Sequence, residues 1–382
     1  MNFPNTITTP AWGGTPGLYK LPPELWDRIA SFSDFESLLH FSCISKHCRA
    51  MLVRHIFYSI SFYFHNSSSM RTFASPDDAD LANVRSHVKH LKIALACRHY
   101  YGFGWNWGTN VSLQEICKSI QLTRNLQRLS LELGGLNRAE RREFATLLAS
   151  CDKWRMSQLE FGRTTSIASM VLRKCVAGHL RTLHLDSWIG SQPYNMAAKH
   201  QGGLRRLRLY GSSRKAGQGR LIPSIHDAAL QKILLDFKYI EWLSISDMSQ
   251  DLKCIPIQDF NNGLGASLAT LKGFQHLRRL AFRLGSPSRN LMSGTLVTTP
   301  AGSNQPTTHL RTWHERLIRR ISGELPGLRE ICILQRRSGR FIRATRVNAG
   351  DVMVISHGVE LLHDHAPASI NWEKRFPIGL YD

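Results

Sequence analysis

The sequence predicts a mixed α/β chain: a small N-terminal helical segment followed by an irregular solenoid, with a parallel sheet on one side and helices outside it. Residues 21–50, LPPELWDRIASFSDFESLLHFSCISKHCRA, compress three short apolar-faced helices into a stretch too small to bury its own hydrophobic surface. Between residues 88 and 333 a cassette of the form apolar-x-x-apolar-x-apolar recurs eight times, with helical periodicity between the copies. The expected organisation is a disordered tail at 1–17, the helical segment at 18–66, a polar linker at 67–87, the repeat arm at 88–335 and a C-terminal cap or tail at 336–382.

The first helix opens at Leu21 and the Pro22-Pro23 pair, where a missing N–H does no harm, and Glu24 faces the positive end of its dipole. Leu25, Ile29 and Phe32 then fall on one helical face. A break at Ser33-Asp34 places Asp34 to cap the second helix, which carries Leu38, Leu39 and Phe41. Cys43-Ile44-Ser45-Lys46 leads into a third helix with Arg49 and Leu52. Residues 67–87 contain SSS and Pro-Asp-Asp and read as a loop, as does the Ser-, Thr-, Pro- and Gly-rich stretch 285–310.

The cassettes are Val88-Leu91-Ile93, Leu126-Leu129-Leu131, Met156-Leu159-Phe161, Leu180-Leu183-Leu185, Leu204-Leu207-Leu209, Ile240-Leu243-Ile245, Leu277-Leu280-Phe282 and Leu328-Ile331-Ile333. Their central residues are separated by 38, 30, 24, 24, 36, 37 and 51 positions. Gly178, Gly202-Gly203, Gly273 and Gly327 stand immediately before cassettes, where a helix stops and turns into a strand, a place suited to positive φ. Each strand, helix and glycine unit leaves one face uncovered and buries it on its neighbour.

With 382 residues and 42% hydrophobic content the chain can build a large core. No apolar stretch is long enough to span a bilayer, and MNFPNTITTPAWGG has neither the basic nor the apolar region of a signal peptide, so an intracellular protein, cytoplasmic or nuclear, is expected. Eight scattered cysteines without a CxxC pair point to reduced thiols packed as small hydrophobes. Net charge is +21, of which about +18 belongs to residues 67–335, and arginine outnumbers lysine 35 to 14. Such a surface suits flat, bidentate contacts to carboxylate or phosphate, although a merely well-solvated surface has the same composition.

The order Leu-Pro, Ile29, Asp34-x-x-x-Leu38-Leu39 and Ile44-Ser45-Lys46 resembles the F-box, over roughly residues 18–60. Cys48 departs from it, standing near where many members carry Trp. The resemblance implies contact with a Skp-type adaptor through Leu21, Pro22, Leu25, Ile29, Phe32, Leu38 and Leu39, and through the adaptor with a cullin scaffold. The repeats resemble the leucine-rich-repeat arm of the same family, without its regular asparagine ladder: the corresponding positions are Gly134, Trp188 and Ser212 in three of the best copies. Unrelated strands of an α/β domain are the alternative. Together the two resemblances imply a substrate-recognition subunit of a ubiquitin ligase that catalyses nothing itself.

Within each cassette the residues between the apolar positions point out of the sheet. Arg128, Arg206, Arg208, Tyr210, Trp242, Arg279 and Arg283 therefore form the candidate target-binding patch, suited to an acidic or phosphorylated protein segment. YYGFGWNWG at 100–108 does not follow GxGxxG, and GSSRKAGQGR at 211–220 lacks the ending of a phosphate loop. His363 and His365 have no matching pair of ligands, and no catalytic residues, metal or cofactor are indicated. Two other readings stay open: a basic nucleic-acid-binding scaffold, which lacks a helix-turn-helix, RNP motif or zinc finger, and an F-box protein that binds the adaptor without assembling a ligase.

Overall fold

The computed structural model describes residues 21–63, 67–94, 112–133, 136–162, 165–187, 189–210, 227–246, 257–284, 306–335, 340–346 and 353–359. The expected tail at 1–17 and residues 285–305 of the expected loop lie outside these, as do Gly134, Trp188 and Ser212 of the missing asparagine ladder; the end of that loop, 306–310, is instead the start of a helix.

Three helices, α1 (Pro23–Phe32), α2 (Phe35–Ile44) and α3 (Lys46–Ile56), open the fold. Pro22 is the N-cap of α1 and Pro23 its first residue; Asp34 accepts the Ser37 N–H at 2.8 Å to start α2, and Ser45 accepts the Cys48 N–H at 3.0 Å to start α3. Only Phe57, the C-cap of α3, and Tyr58 separate the last helix from β1 (Ser59–Tyr63), where the sheet begins.

The sheet has eleven strands in sequential order. After β1 come β2 (His90–Ala94), β3 (Arg128–Glu132), β4 (Gln158–Phe161), β5 (Thr182–Leu185), β6 (Arg206–Tyr210), β7 (Trp242–Ser246), β8 (Arg279–Leu284) and β9 (Glu330–Gln335), all parallel. Helices α6 (Leu113–Leu122), α7 (Arg138–Ser150), α8 (Thr165–Lys174), α9 (Gln192–His200), α10 (Asp227–Asp236), α11 (Ile257–Leu271) and α12 (Pro306–Glu324) alternate with them from β2 onward. The order never reverses, so each strand pairs only with its neighbours in sequence. At the far edge β10 (Arg340–Thr345) and β11 (Val354–Val359) add antiparallel, within the segment expected to be a cap or tail.

Every one of the eight cassettes coincides with a strand of β2 to β9. Their central residues, Leu91, Leu129, Leu159, Leu183, Leu207, Leu243, Leu280 and Ile331, pair across the sheet in one continuous row, and all are buried. Ile93, Leu131, Phe161, Leu185, Leu209, Ile245, Phe282 and Ile333 lie two residues on and are buried as well. Helix residues such as Phe144, Tyr194, Ile233 and Ile318 join the same core cluster.

Two expectations need correction. Residues 67–87 are not a loop: they contain α4 (Ser67–Phe73) and α5 (Ala79–His87). Met70 and Phe73 are buried, Phe73 packs its ring 5.3 Å from Phe62 of β1, and Asp78 caps α5 through the Leu81 N–H. Buried Arg85 donates to the Phe73 and Ser75 carbonyls at 2.8 and 2.6 Å, satisfying the turn between the two helices with a polar side chain that a hydropathy pattern cannot recognise. The glycines before cassettes also differ from one another. Only Gly178 among them has positive φ (74°), whereas Gly273 is needed for close approach: a Cβ there would lie 2.6 Å from Leu234 Cδ2 and 3.1 Å from the Thr270 carbonyl.

Leu207 sits in the middle of the central row, so Leu207→Ala should lower stability by about 2–5 kcal/mol. Urea unfolding followed by circular dichroism checks this; an unchanged midpoint would mean that the row does not hold the sheet together.

Candidate functional site

The N-terminal helices sort their apolar residues into two sets. Trp26 and Ala30 of α1, Leu38 of α2, and Cys48, Leu52 and Ile56 of α3 close a small core of their own. Across the helices Asp27 Oδ1 receives the Arg54 guanidinium at 2.7 Å and lies 2.6 Å from His55 Nε2, tying α1 to α3. On the outside remain Leu25 (43% exposed), Phe32 (82%), Phe35 (56%), Leu39 (40%) and Ile44 (62%). Five large apolar side chains are thus left exposed within twenty residues of α1 and α2.

Of the predicted adaptor contacts, Pro22, Leu25, Phe32 and Leu39 are exposed, and Leu21 and Ile29 are half-buried. Leu38 is in the core and cannot present its side chain to a partner. Adjacent helical residues differ by about 100° in direction, so Leu38 and Leu39 had to separate. Phe35 and Ile44 were missed. Phe35 lies one helical turn before Leu39, a spacing that would have found it.

Residues 18–60 match the F-box domain family. The chain carries an F-box. No curated protein matches it. F-box domains bind Skp-type adaptors, and the exposed face of α1 and α2 lies within the matched residues.

Beyond the F-box, the outward rows of the sheet form the second candidate surface. One row runs Ser59, His90, Arg128, Gln158, Thr182, Arg206, Trp242, Arg279 and Glu330; the next but one contains Lys92, Ser130, Glu160, His184, Arg208, Ser244, Ala281, Cys332 and Arg343. The Trp242 indole lies between two guanidinium groups, with Arg206 Cζ 3.9 Å and Arg279 Cζ 4.0 Å from its ring centroid. Glu160 accepts Arg128 Nη2 at 3.2 Å and pairs with His184 Nδ1 at 3.1 Å, while Glu330 joins Arg279 at 3.3 Å to Arg343 at 3.0 Å.

The predicted patch is thus brought together at Arg206, Arg208, Trp242 and Arg279 on the neighbouring strands β6 to β8, while Arg128 stands apart on β3, with β4 and β5 between. It is not the open surface that alternation alone suggested. Trp242, Thr182, Ser130, Ser244 and Ala281 are buried, the indole covered by its flanking arginines. The side chains of Tyr210 and Arg283 lie outside the described residues, as do the segments 100–108 and 211–220 and the pair His363 and His365. Glu160 and Glu330, which organise the arginines, were overlooked; reading the Met156 and Leu328 cassettes by the same alternation would have placed both on this face.

Two histidines here are held neutral. Burial, and next the positive field of Arg208, lowers His184 despite its bond to Glu160. Burial first and then Arg128 lower His90 from 6.5 to about 3, with Nδ1 2.9 Å from the Ser59 hydroxyl. Among the described residues no group of three or more His, Cys, Asp or Glu side chains is arranged to hold a metal, and no helix is long and apolar enough to cross a membrane.

Between pH 6.5 and about 3 the unfolded His90 binds a proton that the folded one refuses, so stability falls as the pH is lowered through that window. His90→Gln should flatten this part of the profile, measured as urea midpoints from pH 7 to pH 4; an unchanged slope would show that His90 does not contribute to it. In the F-box, Trp26→Ala should cost about 3–5 kcal/mol, while Phe32→Ala should stay within about 0.5 kcal/mol. Thermal melts of the two variants separate core from face, and equal losses would refute the division.

Proposed function

We propose that this protein is the substrate-recognition subunit of a ubiquitin ligase built from a Skp-type adaptor, a cullin scaffold and this chain. The observation that carries the reading is the F-box match together with a closed core beneath Leu25, Phe32, Phe35, Leu39 and Ile44. The face is preformed, so docking does not have to expose it. Residues 88–335 form an irregular leucine-rich-repeat-like solenoid, a reading supported by sequential parallel strands, alternating helices and the aligned cassettes. The chain performs no chemistry itself. It acts in the cytoplasm or nucleus by holding a target near a ubiquitin-loaded enzyme on the same scaffold, which raises the target's effective concentration there.

The arginine rows favour an acidic or phosphorylated protein segment as target. Arg206 and Arg279 each hold their guanidinium carbon within about 4 Å of the Trp242 ring centroid, which restrains both groups before a carboxylate or phosphate arrives.

Leu25→Ala with Phe32→Ala should abolish capture of a recombinant Skp-type adaptor while leaving the circular dichroism spectrum intact, because each side chain contributes roughly 1.5–3 kcal/mol when buried at a contact. Retention of the adaptor by this folded double variant would sink the docking face. For the arm, an array of acidic peptides in phosphorylated and unmodified forms should give hits that weaken at least tenfold in Arg206→Ala with Arg279→Ala and weaken with salt. Hits indifferent to both would place target binding elsewhere.

A further inference from the structure

A continuous backbone ladder runs along the edge where the strands begin, one residue before each. The Gln127 N–H donates to the Lys89 carbonyl, Ser157 to Gln127, Arg181 to Ser157, Arg205 to Arg181, Glu241 to Arg205, Arg278 to Glu241 and Arg329 to Arg278, at 2.7–3.0 Å. Five of these eight residues are cationic and one is acidic. Parallel strands stand about 4.8 Å apart, so the ladder spaces its side chains at that interval along a line. Arg181, Arg205, Arg278 and Arg329 are exposed. Arg205 pairs with Glu241 at 2.7 Å and Arg181 donates to the Gly203 carbonyl at 3.1 Å. Arg278 and Arg329 make no side-chain hydrogen bond or ion pair among the described residues.

Exposed rings sit in the middle of this line. Tyr239 and His276 each lie two residues before a ladder position, on consecutive units, with ring centroids 5.8 Å apart and planes inclined by 36°. Tyr239 is 55% exposed, and Arg155 and His179 hold the same offset three units earlier.

We propose that this strand-entrance edge binds single-stranded nucleic acid, its phosphates along Arg181, Arg205, Arg278 and Arg329 and an unpaired base on Tyr239 and His276. Cations in a line with sequence-tolerant aromatic platforms are what a single strand requires. A duplex keeps its base faces stacked away from such rings, and an acidic polypeptide has no use for them. The edge is separate from the outward arginine rows and from the F-box, so this inference does not depend on the ligase reading.

The test is fluorescence anisotropy of a labelled 20-nucleotide oligo(dT) with the full chain. Four phosphate contacts on a single strand predict a salt exponent near −0.7 per contact, and hence about fifty-fold weaker binding from 50 to 200 mM salt. Arg278→Glu with Arg329→Glu should weaken binding at least tenfold, Arg278→Lys with Arg329→Lys should retain most of it, and Tyr239→Ala should cost about tenfold by loss of stacking. Arg138→Glu with Arg142→Glu on exposed positions of α7 changes net charge by the same amount and should have little effect. Equal losses in the two reversal variants would overturn the site, leaving only diffuse attraction to a basic protein. Displacement of the oligonucleotide by polyglutamate more readily than by unlabelled oligo(dT) would overturn it in favour of an acidic protein. Adaptor capture by Arg278→Glu with Arg329→Glu should be unchanged, and loss of adaptor capture in the wild type would bear on the ligase reading alone.

Discussion

The arm depends on one constraint, the shared register of eight leucine or isoleucine residues across β2 to β9. Side chains alternate with a period of two along a strand, so fixing Leu207 inward fixes Arg206 and Arg208 outward, and the same holds on each neighbouring strand. A slip of one residue would bury the guanidinium groups and expose the leucines, a cost far beyond any local gain. The outward array of Arg128, Glu160, His184, Arg206, Trp242, Arg279 and Glu330 is therefore a consequence of the core and needs no separate folding instruction. Because β1 follows α3 almost directly and pairs with β2, the same sheet anchors the F-box to the arm.

Outward does not mean exposed. Packing Arg206 and Arg279 against the two sides of Trp242 removes water from the indole and from part of each guanidinium, which strengthens the cation–π attraction and costs hydration of the charge. Glu330 offsets that cost for Arg279 by accepting from it across the β8–β9 pair, and Glu160 plays the same part for Arg128. The neutral state of His184 follows from the same crowding: with Arg208 alongside and little water, one more positive charge is unfavourable even beside Glu160. Partial pairing with Glu160 and Glu330 leaves Arg128 and Arg279 oriented.

Much of this was legible in the sequence because leucine in a six-residue cassette carries period, strand and burial at once. The F-box motif was legible for a similar reason, since Asp34 announces a helix start through its chemistry. Legibility failed where burial and polarity diverge. The segment 67–87 looks like a loop because Arg85, which closes it, is charged, and its value lies in hydrogen bonds to Phe73 and Ser75. Leu38 and Leu39 look equivalent in sequence, and only the packing of α2 on α3 sends one into the core and the other outward. Gly273 and Gly178 share a place before a cassette, yet one serves close packing and the other a left-handed turn.

The F-box has only a small core of its own. Its own core contains six buried hydrophobic residues, dominated by Trp26, and the same two turns of α1 that carry Trp26 and Ala30 inward carry Leu25 and Ile29 toward the outer face. A partner that covers Phe32 and Phe35 removes apolar surface from water without rearranging what lies below, and anything that binds only the folded state stabilises it by mass action. The exposed aromatics that weaken the isolated segment are then the source of its stability in a complex. For a partner that covers this face, docking and folding of α1 to α3 are linked equilibria: substitutions at Trp26 and Leu38 act through the core, and substitutions at Leu25 and Phe32 act on the exposed surface itself.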